Sequence, residues 1–161
     1  MNVRVVDSSL LIEADYRRKL GALAKYLGSD SRAIAPPEVY TETVITPKAL
    51  PYLAASATRI EGLYSRGVIT TQTPDYTNRR VSKIVDRVRG CIANKANKPV
   101  HEVEIADLQI VALAVTAAFK GEAVELIFRD RALRDCLESA MKRNRVSSIV
   151  MIDSSELLDR I

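Results

Sequence analysis

Apolar positions along the chain follow two alternating rhythms, one suited to short strands and one to helices. Val3-Arg4-Val5-Val6 is a short β-branched run that predicts a strand, followed at once by Asp7-Ser8-Ser9, residue types that cap helices. From Leu10 to about Leu27 the spacing is helical, and Gly28 supplies a stop. Ala33-Ile34-Ala35 reads as a second short strand, and Pro36-Pro37 as the turn into a helix over Glu38–Ile45 that Thr46-Pro47 interrupts. Leu50 to Tyr64 is helical, ending near Gly67, and Val68–Thr71 is a strand closed by Pro74-Asp75. Tyr76 to Ala96 predicts a helix that Lys98-Pro99 breaks. Ile105 to Phe119 is apolar on nearly every face, which marks a central buried helix, with Glu104 and Asp107 at its start and Gly121 beyond its end. Val124–Phe128 is a strand, Arg131–Lys142 a helix, Ser148–Ile152 a strand, and Asp153 opens a terminal helical turn. Strands alternating with helices imply an α/β fold, a parallel sheet flanked by helices. With no linker or low-complexity segment in 161 residues, a single domain over 1–161 is the simplest organisation.

Composition narrows the class. Hydrophobic residues at 47% and charged residues at 27% are the mix of a globular protein. No apolar run reaches the roughly 18 residues of a membrane span. The N-terminus meets Asp7 too soon to hold a signal-peptide core, so a cytoplasmic setting is expected. Cys91 and Cys136 form no CxxC or Cys/His cluster and are expected as separate, partly buried apolar side chains. His101, the one histidine, is expected in a loop before a helix, which leaves little material for histidine-based zinc or triad chemistry. Neither a Walker A loop nor a G-x-G-x-x-G turn occurs. A net charge of +4 mildly favours an anionic partner.

The acids carry more information. Ligands of open parallel sheets bind beyond the carboxyl ends of the strands. Asp7 follows the first strand, Asp130 follows Leu126-Ile127-Phe128, Asp107 lies in the first turn of the buried helix, and Glu42 stands on the helix after Pro36-Pro37. Carboxylates gathered in one cleft raise each other's pKa unless cations neutralise them. Oxygen ligands without histidine or cysteine suit Mg²⁺ or Mn²⁺, and such ions activate water for phosphodiester hydrolysis. Structural readings stand beside this one. Asp7 can cap a helix, Asp107 can answer the helix dipole, and Asp130 can pair with Arg129 or Arg131. Glu38, one turn from Glu42, competes with it, and Asp153 with Glu156 three residues on reads as a capping box.

At these positions the sequence resembles the PIN-domain family. Val5-Val6-Asp7-Ser8-Ser9 matches its opening strand and Asp-Ser/Thr-Ser signature, and Pro37-Glu38-Val39-Tyr40-Thr41-Glu42 its second acid. Ile105-Ala106-Asp107, opening an alanine-rich apolar helix, matches its third. Phe128-Arg129-Asp130-Arg131-Ala132-Leu133 keeps the aspartate and leucine of its Thr-x-Asp-x-x-Leu pattern but has Phe128 in the threonine place. The resemblance spans nearly the whole chain, apart from a longer helical middle at about 47–99. It implies a three-layer fold with a central, mostly parallel sheet. It also implies a Mg²⁺- or Mn²⁺-dependent endoribonuclease, often the toxin of a toxin–antitoxin pair and sometimes an RNA-processing factor. Asp7, Glu42, Asp107 and Asp130 would then hold metal, with Ser8 or Ser9 supporting an acid or simply capping. RNA is the implied substrate with DNA left open, and an antitoxin protein or a second copy the implied partner. A catalytically degenerate RNA-binding or scaffold module is the alternative, with Phe128 as its support.

The predicted helix at 76–96 bears on that choice. Arg80, Lys83 and Arg87 are spaced to share one of its faces, while Val81, Ile84, Val85 and Val88 can pack inward. Such a ridge suits RNA phosphates, or is a solvated face. Tyr76 can stack on a base or pack against the body of the protein.

Overall fold

The β-branched runs at the start and in the last third of the chain do pair, and they do so in parallel. A computed structural model describes residues 2–161. Its five strands are β1 (Asn2–Val6), β2 (Ser31–Ala35), β3 (Ile69–Thr71), β4 (Ala123–Phe128) and β5 (Ile149–Asp153). They form one parallel sheet in the order β3-β2-β1-β4-β5. The interior strands β1 and β4 are buried along most of their length, as expected of a parallel sheet covered on both faces. The helices are α1 (Ser8–Tyr16), α2 (Leu20–Gly28), α3 (Pro37–Tyr40), α4 (Thr46–Lys48), α5 (Ala54–Ser65), α6 (Arg79–Ala96), α7 (Ile105–Phe119), α8 (Arg131–Arg143) and α9 (Ser154–Arg160). One group gathers α2, α5 and α9 around α1; another packs α6 against α7 and α8. The apolar α7 lies against β1, β4 and β5 at the centre of a single continuous core.

Four local departures from the hydrophobic pattern have physical causes. The helix expected over Leu10–Leu27 is broken at Arg17-Arg18-Lys19, where Arg18 takes a left-handed backbone (φ 58°) and Arg17 ties back to Glu13 and to Asp159 of α9. Pro47 does not interrupt its helix, because the chain passes through a π turn at Thr41–Ile45 before Pro47 enters the first turn of α4. The hydroxyls of Thr41 and Thr43 donate to the carbonyls of Pro37 and Val39, competing with the helical amides there. Helix α6 begins at Arg79, since Asp75 folds the preceding segment by accepting from Thr77 and Asn78 caps the amides of Arg80 and Val81. Finally, Cys91 and Cys136 are not separate apolar residues. They form a disulfide between α6 and α8 across 45 residues of sequence, with the Cα atoms 5.7 Å apart.

A buried cation closes the interior of the sheet. Arg4, on β1, pairs with Glu125 in register on β4 at 2.7 Å, and its guanidinium also donates to the carbonyls of Tyr26 and Ser29 and to the hydroxyl of Ser31. Burial of this charge is tolerated because its donors are matched.

Candidate carboxylate site

The strand order reverses direction between β1 and β4: the chain moves outward from β1 to β2 and β3, then returns to the other side of β1. Crevices open at such switch points, beyond the strands' carboxyl ends. Here the crevice is a hollow of about 420 Å³, whose acids are Asp7, Glu42, Glu104, Asp107 and Asp130. The four acids expected from the sequence therefore share one cleft.

Each arrives by a different route. Asp7 ends β1, and its amide donates to the Ile127 carbonyl at 3.2 Å, locking the exit of β1 to that of β4. It occupies the N-cap position of α1 but makes no capping bond; its carboxylate instead accepts from the Ser9 hydroxyl at 3.0 Å. Glu42 sits in the π turn, and the Ser8 hydroxyl donates to it at 2.7 Å. A π turn widens the backbone and rotates the side chains that follow, a distortion frequent at functional sites. Glu38 is outside the cleft lining; its amide donates to Gln109 of α7, which sets the start of α3 against that helix. Asp107 stands in the first turn of α7. Asp130 caps α8, accepting from the Leu133 amide at 2.9 Å, so this acid serves both structure and site. Asp153 accepts from the Glu156 amide, as its capping-box reading required, and lies outside the cleft.

Electrostatics follow from this crowding. Burial, then the charges of Asp7, Asp130, Glu104 and Glu42, push Asp107 up to about 7. Glu42 is raised by burial and by Asp7, Glu104 and Glu38, against the pull of the Ser8 hydroxyl. Asp7 is raised by burial, opposed by the Ser9 hydroxyl. The uncompensated state is therefore one in which protons are retained for want of cations. The donor set is all oxygen, as hard divalent ions require. As the side chains stand, though, no three acids, histidines or cysteines among the described residues converge tightly enough to ligate one ion.

Glu104 is the acid that the sequence pattern placed at the start of α7 without assigning it to the site. It fills the N-cap position yet makes no capping bond, so its carboxylate remains available to the cleft. Its signal was the spacing Glu104-x-x-Asp107 on a helix whose remaining faces are apolar. Phe128 is buried and is not part of the cleft lining. None of the basic ridge lines the cleft. Arg80 lies over the ring of Phe119 at 4.0 Å, at the end of α7 opposite to Asp107. Lys83 is exposed and Arg87 half-buried further along α6. Tyr76 is 45% exposed and lines a hollow with Arg89 and Ile105. His101 is exposed, in a 3-10 turn (Val100–Glu102) before α7.

A family model for the halobacterial PIN domain matches residues 1–161. No curated protein matches the chain by sequence. Among solved structures the chain is similar to VapBC2 from Rickettsia felis bound to a DNA fragment from their promoter, at 12% identity and a TM-score of 0.48, over 95% of this chain and 98% of that one. With its whole length matched, the chain belongs to the halobacterial PIN domains.

Proposed function

We propose that the protein is a divalent-metal-dependent endoribonuclease. The observation that carries this reading is the meeting of five carboxylates from four separate segments at the β1/β4 switch point, with Asp107 pushed up to about 7 by burial and by the other acids. A cleft so charged has a stable ionised state only with cations present. Asp7, Glu42, Asp107 and Asp130 would hold Mg²⁺ or Mn²⁺, with Glu104 as a further oxygen donor. When bound, such an ion supplies a nucleophile at neutral pH and stabilises the departing oxygen of a phosphodiester. The chain's own part is positioning. Ser8 and Ser9 hold the carboxylates of Glu42 and Asp7 through hydroxyl donors, and the Asp7–Ile127 backbone bond fixes the floor of the cleft.

One domain, in the cytoplasm, is the setting we propose. A disulfide is uncommon in a reducing compartment, so the α6–α8 bond weighs against this setting, although Cys136 is 1% exposed and shielded. A toxin role with an antitoxin partner, and pairing with a second copy, belong to the same reading. Arg80, Lys83 and Arg87 of α6 would contact RNA phosphates outside the cleft lining. A second reading, RNA capture without cutting, draws on the absence of a preformed ligand cage among the described residues and on Phe128 in the threonine place.

Incubating structured and single-stranded RNA with Mn²⁺, Mg²⁺ or EDTA tests the enzyme reading. Wild type should cut only with metal, and Asp107→Asn should lose cutting by a factor of at least about 100, typical for a group acting in the transition state. Mn²⁺ binding without cutting of any RNA would favour the capture reading, and neither binding nor cutting would sink the enzyme.

A further inference from the structure

The carboxylate cleft has little positive charge of its own. Of its lining residues only Arg129 is basic. Arg129 directly precedes Asp130, and its one ion pair is a long 3.9 Å contact to Glu13, with the side chain 63% exposed. The same Arg129 and Asp130 line a second hollow of about 410 Å³, beyond the ends of β4 and β5, together with Arg131, Arg134, Asp153 and Glu156. The two hollows thus share a wall.

The charges in the second hollow are not equally free. Asp130 and Asp153 each commit an oxygen to a capping amide, those of Leu133 and Glu156. Arg134 donates one guanidinium nitrogen to the Met151 carbonyl at 3.0 Å, which anchors it beside β5. Arg129 and Arg131 are exposed. The first turn of α8 begins here as well, and its positive dipole end favours anions.

We propose that Arg129, Arg131 and Arg134 form the track by which single-stranded RNA leaves the carboxylate cleft, with Arg129 gripping the phosphate next to the scissile one. This rests on the nuclease reading. A cleft of carboxylates repels a polyanion even when cations occupy it in part, so affinity must come from an adjacent positive wall. On the α6 side, Arg80 stands over Phe119 at the opposite end of α7 from Asp107, and Arg89 lines a separate hollow beside Ile105, so Arg129 is the basic side chain in the cleft lining itself. Guanidinium groups suit this task because they bind phosphate oxygens with two donors at once. Arg129 is a positioning residue in this scheme, since it touches a phosphate that does not react.

The test is fluorescence anisotropy with a short single-stranded RNA in Mg²⁺, using Asp107→Asn as the parent to prevent cutting. The plot of log affinity against log salt should lose about 0.7 of slope for each phosphate-gripping arginine removed, so Arg129→Ala/Arg131→Ala should lose about 1.4. Lys142→Ala/Arg143→Ala, at the far end of α8, removes equal charge and should leave the slope unchanged. Arg129→Lys should restore the slope but not the full affinity. An unchanged slope in Arg129→Ala/Arg131→Ala, with melting temperature preserved, overturns the track alone. An equal loss in the Lys142/Arg143 variant also overturns it, because general charge would then suffice. A parent that binds no RNA at any salt overturns the track, while the nuclease reading falls only if wild type also fails to cut RNA with metal.

Discussion

Asp107 links burial to function at the scale of one side chain. Its carboxyl is pushed up to about 7 in the fold, against an ordinary value of 3.8. Between those values the folded chain binds a proton that the unfolded chain has released, so metal-free stability must fall as pH rises. The penalty is absent below about 3.8 and complete above about 7. Raised pKa values at Glu42 and Asp7 act in the same direction. The melting temperature in EDTA should therefore decline from pH 4 to pH 7, and saturating Mn²⁺ should flatten that decline. Asp107→Asn should melt higher than wild type at neutral pH without metal, while losing activity. Identical melting profiles for the two proteins in EDTA would count against the crowded-carboxylate account. Glu104 shows the limit of reading single residues: a glutamate at a helix start is ordinary capping chemistry until its side chain is seen to leave the cap unmade.

Elements were legible wherever local periodicity was strong. The apolar α7 matches its expected span at Ile105–Phe119, because a run apolar on nearly every face is best buried as a helix at the centre of the core. Boundaries moved where side chains intervened, as with Asn78 at the start of α6 and the threonine hydroxyls in the π turn. The α6–α8 disulfide was invisible for another reason: two cysteines 45 residues apart become neighbours only after the helices pack. In a chain-entropy view, a cross-link over that span stabilises by about 4 kcal/mol. Cys91→Ala/Cys136→Ala should lower the urea midpoint accordingly, and reductant should shift wild type but not the variant. If reductant has no effect on the wild-type midpoint under unfolding conditions, the bond contributes nothing.

At the scale of the molecule the strand order matters most. Parallel strands with β1 and β4 adjacent bring residues 7 and 130 to one crevice, and α7 carries residue 107 to the same place. Carboxylates that share cations act as a unit, so their replacements should be non-additive. Asp7→Asn and Asp107→Asn should each abolish most cleavage, and the double variant should be barely worse than either. Losses that multiply would mean that the acids act separately. The tie between Arg4 and Glu125 serves the same geometry from within the sheet by pinning β1 to β4 in register. Glu125→Ala would leave Arg4 buried without its counter-ion, at a cost of about 3–5 kcal/mol in unfolding free energy, read as a lower denaturant midpoint.

The sequence by itself determined the alternation of strands and helices, the order of the four acids and the place of Asp7, Asp107 and Asp130 at element ends, because hydrophobic period and capping chemistry are local properties. Only the tertiary structure decided that β1 and β4 lie side by side, that Glu104 joins the cleft, and that the cysteines meet. It also decided that the basic side chain beside the acids is Arg129, while Arg80 of α6 lies at the far end of α7. These are contacts between residues distant in sequence, set by the packing of whole helices on a sheet, and no local pattern encodes them.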